Sequence, residues 1–176
     1  MLGEFKQYVP SYKCMTCVGC CRFNDPISRW RPRLGKGETT PFLTVNKMSP
    51  HTTVVDEQRY IMAFPRRESY ACGYLSLDDH TCHVYETRPF ECQLYPFLIV
   101  REQENLWLGV HLNCPFIAET RETERFPSYL NVLKEFFSRD EVLFFLRNNE
   151  ETFPAYQDSR DEIEMLFSFY RAGVRP

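Results

Sequence analysis

Cys14-Met15-Thr16-Cys17-Val18-Gly19-Cys20-Cys21 gathers four thiols into eight consecutive residues. Two residues between successive thiols let one turn aim neighbouring sulfurs at a common centre, the spacing from which thiolate metal sites are built. Cys14, Cys17 and Cys20 keep that spacing twice. Cys21 breaks it, because a side chain that directly follows Cys20 projects in a different direction, toward a second metal or a bridging position. A fold organised around such a run needs only small sheets and helices, since the ligated sulfurs carry part of the cohesion.

Four further cysteines follow, Cys72, Cys82, Cys92 and Cys114. Three thiols spaced C-x2-C-x2-C open the bacterial ferredoxin pattern, where a remote Cys-Pro supplies another ligand, and this chain has Cys114-Pro115. One arithmetic partition places Cys14, Cys17, Cys20 and Cys114 in one four-thiolate site and Cys21, Cys72, Cys82 and Cys92 in another. Spacing does not separate iron from zinc, because both accept thiolates in tetrahedral geometry. The expected cofactor is one or two iron–sulfur clusters, of the [4Fe–4S] type, with zinc as the alternative. His80 and His83 flank Cys82, and His111 precedes Cys114 by three residues, so each is a possible substitute ligand or a neighbour of the site. His51 has no such company. A buried anionic centre also needs donors or cations, which Arg22, Arg66, Arg67 and Arg88 are close enough in sequence to provide.

A disulfide framework fits the sequence poorly. The first residues, MLGEFKQYVP, lack an apolar core behind a basic start, and no stretch approaches 18 uninterrupted apolar residues. The expectation is a cytoplasmic protein with no membrane association, whose thiols stay reduced.

Within 176 residues, 43% hydrophobic and 26% charged content suits one packed domain, and 15% aromatic content suits a core rich in Phe and Tyr. A net charge of −3 argues against nucleic acid as a partner, leaving a protein partner as the expectation, with the oligomeric state open. The basic stretch from Ser28 to Gly37 reads as a solvated loop rather than an anion contact. No Gly-rich phosphate loop, G-x-S-x-G elbow or C-x3-C-x2-C radical run is present.

The expected fold class is α+β, an irregular cysteine-ligated metal-binding core with a small antiparallel β-hairpin and C-terminal helices. Residues 1–118 form the metal-binding region, and 119–176 a helical extension packed on the same domain. Val54 to Phe64 reads as a short helix. Leu94 to Val100 and Leu106 to Leu112, separated by a polar loop, read as a hairpin that brings the ends near Cys92 and Cys114 together. Ser138-Arg139-Asp140-Glu141 and Ser159-Arg160-Asp161-Glu162 fit capping boxes. Leu130, Leu133, Phe136 and Phe137, and then Ile163, Leu166, Phe167 and Tyr170, recur at helical spacing. Asn148 to Pro154 marks the break between those helices.

The opening run, followed by Cys72, by Cys82-His83-Val84-Tyr85-Glu86-Thr87-Arg88-Pro89-Phe90-Glu91-Cys92 and by Tyr95-Pro96, resembles the CxxCxxCC, or YkgJ-type, cysteine-cluster family. That family is described as zinc- or iron-chelating and is related to flagellin lysine N-methylase. The resemblance covers roughly residues 14–115. It implies that Cys14, Cys17, Cys20, Cys21, Cys72, Cys82 and Cys92 bind the metal. Cys114 joins them on the hairpin argument. Arg88 becomes the candidate donor to the cofactor. Gln93 stands where the family often has Arg. The function implied is an iron–sulfur protein acting in electron transfer or as an accessory to a modification or maturation system. A zinc-stapled interaction module and a cluster-assisted lysine methyltransferase are the alternatives.

Overall fold

Short apolar runs make short strands, and in the cysteine-rich half none of the described strands exceeds four residues. A computed structural model describes residues 6–17, 19–45 and 51–171. It divides the chain into two units, one of residues 9–93 and one made of the residues up to Tyr8 together with those from Leu94 onward. The architecture is α+β, as the sequence implies.

The unit of residues 9–93 begins with α1 (Ser11–Cys14), β1 (Arg22–Phe23), β2 (Arg33–Leu34) and α2 (Thr39–Val45). It continues through β3 (Thr52–Val55), β4 (Gln58–Ile61), β5 (Ala63–Arg66) and β6 (Ser69–Cys72), and α3 (Phe90–Leu94) closes it. Two antiparallel three-stranded sheets result, ordered β1-β6-β5 and β2-β4-β3. Residues 54–64 are therefore strands and not the expected helix. Asp56 and Glu57 both take positive φ, 47° and 65°, a two-residue turn that fixes a hairpin with Val55 opposite Gln58. The β-branched run Thr52-Thr53-Val54-Val55 favours that outcome.

The basic stretch 28–37 is not a solvated loop either. Arg31 and Arg33 are each 5% exposed, and both guanidiniums lie over the Tyr60 ring, at 4.9 and 5.8 Å. Arg33 Nη1 donates to Glu91 Oε1 at 2.8 Å, and its backbone N–H donates to Glu91 Oε2 at 2.8 Å. Glu38 accepts from the N–H groups of Gly35, at 2.8 Å, and Phe90, at 2.7 Å. Two carboxylates thus clamp β2 and α2 to α3, the helix that carries Cys92. One buried apolar cluster here consists of Leu34, Phe42, Ile61, Tyr74 and Val84, with Leu43, Cys72 and Cys82 packed against it.

The second unit holds β7 (Phe97–Glu102), β8 (Asn105–His111), α4 (Pro115–Thr120), α5 (Arg125–Phe137), α6 (Asp140–Asn148) and β9 (Ile163–Arg171). The hairpin read from the sequence is present, with Phe97 opposite Val110 and Glu102 opposite Asn105. The second helix of the expected C-terminal pair is not. Ile163–Arg171 is instead a strand along β8, in a sheet ordered β7-β8-β9. Leu106, Leu108 and Val110 are fully buried, so β8 is an inner strand that needs partners on both edges, and this demand overrides the helical spacing. Ser159, expected to cap that helix, sits buried within 3-10 turns over Gln157–Glu162. Ser138 also departs from its expected capping role, donating its hydroxyl back to Glu135 O at 2.8 Å. Leu133, Phe136 and Phe137 of α5 are buried, as their spacing implies.

Tyr8 anchors the first residues of this unit. Its ring meets Phe97 and Phe116 edge-on, at 5.4 and 5.3 Å, and its carbonyl accepts from Arg125 Nη2 at 2.8 Å. Gly109 on β8 admits β9 closely, since a Cβ there would lie 2.7 Å from Ile163 Cγ2 and 3.2 Å from Val100 Cγ2. Gly109→Ala is expected to lower unfolding stability by about 1–3 kcal/mol, the usual cost of overpacking, read from the denaturant midpoint of the full chain.

Candidate metal centre

Seven of the eight cysteines, all but Cys114, belong to the unit of residues 9–93. Cys14 ends α1, where its N–H donates to Pro10 O at 2.9 Å, and Cys17 N–H returns to Cys14 O at 3.2 Å. Arg22 N–H donates to Gly19 O at 3.1 Å, which turns the chain at Cys20 and Cys21 into β1. Cys72 N–H donates to Cys21 O at 2.9 Å and fastens this run to the end of β6. The chain then loops back, with His83 N–H donating to Tyr74 O at 2.9 Å and Leu75 bridging Cys82. Cys82 thereby returns to the core against which Cys72 packs. None of the eight cysteines forms a disulfide.

Three of these sulfurs accept backbone N–H groups from the residue two positions on. Gly19 N–H donates to Cys17 Sγ at 3.4 Å, Tyr74 N–H to Cys72, and Val84 N–H to Cys82. Leu75 N–H donates to the Cys72 carbonyl at 3.0 Å and tightens the turn there. At Cys72 and Cys82 these backbone donors favour the thiolate over the thiol, which is the form that ligates metal.

Electrostatics tie the seven thiols into one group. Cys21 perturbs Cys14, Cys20, Cys72, Cys82 and Cys92. Burial pushes Cys14 up to about 11 and Cys72 up to about 12, and it raises Cys82 and holds Cys92 well above the ordinary thiol value. Cys20 donates a hydrogen bond to Cys21, which with burial raises Cys20 and is the chief reason Cys21 is lowered. The positive charges of Arg88 and Arg22 lower Cys21 further. Among the described residues no three Cys, His, Asp or Glu side chains converge closely enough to hold one ion as they stand. Ligation therefore requires the sulfurs to draw together.

Arg88, the cation singled out from the sequence, lies with its guanidinium 3.8 Å over the Tyr85 ring and donates to Tyr85 O. Its own carbonyl accepts from Gln93 Nε2 at 2.8 Å. Arg22 has a buried Nε with no hydrogen-bond partner. Arg66 and Arg67 are exposed. His51 and His83 line an open cleft of about 580 Å³ with Arg66 and Gly73, and His80 has a buried Nδ1 without a partner. Cys114 lies in the second unit, 4% exposed, as the residue that starts α4 ahead of Pro115. His111 is there too, accepting or donating through Nδ1 to Tyr95 OH at 2.9 Å.

A thiolate-bound metal suits this donor set. The unit offers soft sulfur ligands, fixed N–H donors to three of them and two guanidiniums beside Cys21. The clamp carboxylates Glu38 and Glu91 and the backbone donors carried no signature in the sequence beyond Gly19, whose place between Cys17 and Cys20 permits the turn.

A family model, CxxCxxCC, described as "Putative zinc- or iron-chelating domain", matches residues 13–125, more than half of the chain and all eight cysteines. Comparison with the curated proteins and with the solved structures gave no match.

The raised thiols set a pH dependence for the metal-free protein. An acid whose pKa is higher folded than unfolded contributes stability that is whole below the unfolded value and lost as pH rises through the folded one. Cys14 and Cys72 place that loss between about pH 9 and pH 12. Cys21 acts oppositely, its contribution being lost as pH falls, but five raised thiols outweigh one. Under reductant and chelator, the denaturant midpoint should fall steadily above pH 9, and metal loading at neutral pH should release protons measurable with an indicator dye.

Proposed function

The chain belongs to the CxxCxxCC family of zinc- or iron-chelating domains, and on that premise we propose that this metal-binding protein carries an iron–sulfur centre. In this reading Cys14, Cys17, Cys20, Cys21, Cys72, Cys82 and Cys92 supply the ligands, and Arg88 the neighbouring positive charge. The supporting observation is that five thiols of one small unit, Cys14, Cys20, Cys72, Cys82 and Cys92, share a common electrostatic neighbour, Cys21, beside two guanidiniums. A cluster so held supplies one-electron transfer when bound, and its potential follows from net charge, hydrogen bonds to sulfur and exposure. The biological role is electron transfer or service to a modification or maturation enzyme in the cytoplasm, through a protein partner.

What the chain itself does is hold and shield. Cys20, Cys72 and Cys92 are half-buried, and the Glu38 and Glu91 clamps hold α3, and with it Cys92, against β2 and α2. A zinc staple has its own support in the short strands of this unit, of two to four residues, since small units with little regular structure gain stability from structural metal.

Anaerobic purification of the full chain with iron, zinc and acid-labile sulfide analysis decides between them. Iron with matching sulfide, and a broad visible absorption bleached by reductant, is the expected result. Colourless protein replete in zinc would establish the staple instead, and folded protein without metal would overturn both. Cys21→Ser should reduce bound metal several-fold and lower the melting temperature of the loaded protein. Cys114→Ser separates a ligand, whose loss lowers metal content, from a core thiol at the start of α4, whose loss does not.

A further inference from the structure

β1 is two residues long, and its first residue, Arg22, directly follows Cys21 and pairs with Ala71, the neighbour of Cys72. The hydrogen bond from Cys72 N–H to Cys21 O, 2.9 Å, locks that register. Arg22 is thus fixed directly after Cys21, on a strand paired with the one that ends at Cys72. Its Nε is buried and has no hydrogen-bond partner. Arginine has donors only, so what this group lacks is an acceptor, and a buried donor left without one destabilises the fold. The positive charge of Arg22 acts on the neighbouring sulfur, that of Cys21. Neutral thiols accept weakly, whereas thiolates accept strongly.

Arg88 makes the contrast. It also acts on Cys21, but Tyr85 engages it through its ring face and its carbonyl. Arg22 has neither hold.

We propose that Arg22 donates its Nε–H to a sulfur of the metal-loaded centre and so acts as a positioning residue that sets the charge and the reduction potential of that centre. The inference rests on the metal-centre reading above. A buried centre with several thiolates is anionic, and a guanidinium beside it offsets part of that charge. Gaining an electron makes the centre more negative, so a donated hydrogen bond favours the reduced state and raises the potential. Lysine would keep the charge but not the planar Nε–H at that position.

Wild type, Arg22→Gln and Arg22→Lys are compared as full chains reconstituted anaerobically with ferrous iron and sulfide. Iron, sulfide and the midpoint potential from mediated titration are read for each. The potential of Arg22→Gln should move to a more negative value, with Arg22→Lys between it and wild type. Where a variant holds no cluster, or wild type takes zinc alone, competition for Zn²⁺ against a chelator replaces the potential. There Arg22→Gln should bind at least about ten-fold more weakly than wild type, the usual scale for removing a group that supports a ligand, with partial rescue by Arg22→Lys. Wild type that loads metal with Arg22→Gln indistinguishable from it overturns the role of Arg22 alone. Wild type that takes neither iron nor zinc overturns the metal-centre reading, and this inference with it.

Discussion

Desolvation of sulfur is the constraint on which the rest of this structure depends. A thiol taken out of water stays protonated more readily, and burial is the leading cause of the raised values at Cys14, Cys72, Cys82 and Cys92. Metal ligation demands the opposite state. The unit answers with fixed donors: N–H groups at Tyr74 and Val84, and the charges of Arg22 and Arg88. None of these suffices to ionise the group in the absence of metal. The folded chain therefore keeps most of its sulfurs neutral and gathered, in a state that a thiophilic cation stabilises by displacing protons.

The two units draw cohesion from different sources. The second has an inner strand, β8, whose Leu106, Leu108 and Val110 are fully buried in a three-stranded sheet, and an aromatic cluster around Tyr8. Burial on that scale is the ordinary support of a small domain. The cysteine unit has strands of two to four residues and a five-residue apolar cluster. Its remaining order comes from polar clamps, above all Glu91 to Arg33 and Glu38 to Gly35 and Phe90. Such clamps are directional, so they fix where α3 and Cys92 sit even though each contributes modestly to stability.

Signals local in sequence were legible, and those that depend on a distant partner were not. The spacing of Cys14, Cys17, Cys20 and Cys21 announced a metal centre because the geometry is contained in one turn. The β7–β8 hairpin was legible because two apolar runs flank a short polar loop. Ile163 to Tyr170 misled, since its apolar spacing suits a helix in isolation while β8 demands a strand. Val54 to Phe64 misled for lack of weight on Asp56-Glu57, whose left-handed turn closes a hairpin. Arg31 and Arg33 looked solvated because nothing nearby in sequence declares Tyr60 and Glu91 as their partners. The N–H···S donors belong to the backbone, and no side-chain pattern reports them.

Cys20 and Cys21 show why a vicinal pair belongs in such a site. Adjacent residues cannot easily aim both sulfurs at one ion, and here one donates its proton to the other. That bond, with the charges of Arg88 and Arg22, holds Cys21 below the ordinary thiol value. It also makes the two thiols unequal: Cys21 is lowered and Cys20 is raised by the same bond. Once a cation binds Cys21, that sulfur becomes a poorer acceptor, and the hydrogen bond that held Cys20 neutral weakens. Ligation at one thiol thus lowers the cost of ionising its neighbour. Because Cys21 also raises Cys14, Cys72, Cys82 and Cys92 by its negative charge, neutralising it eases every other sulfur in the group toward the thiolate form.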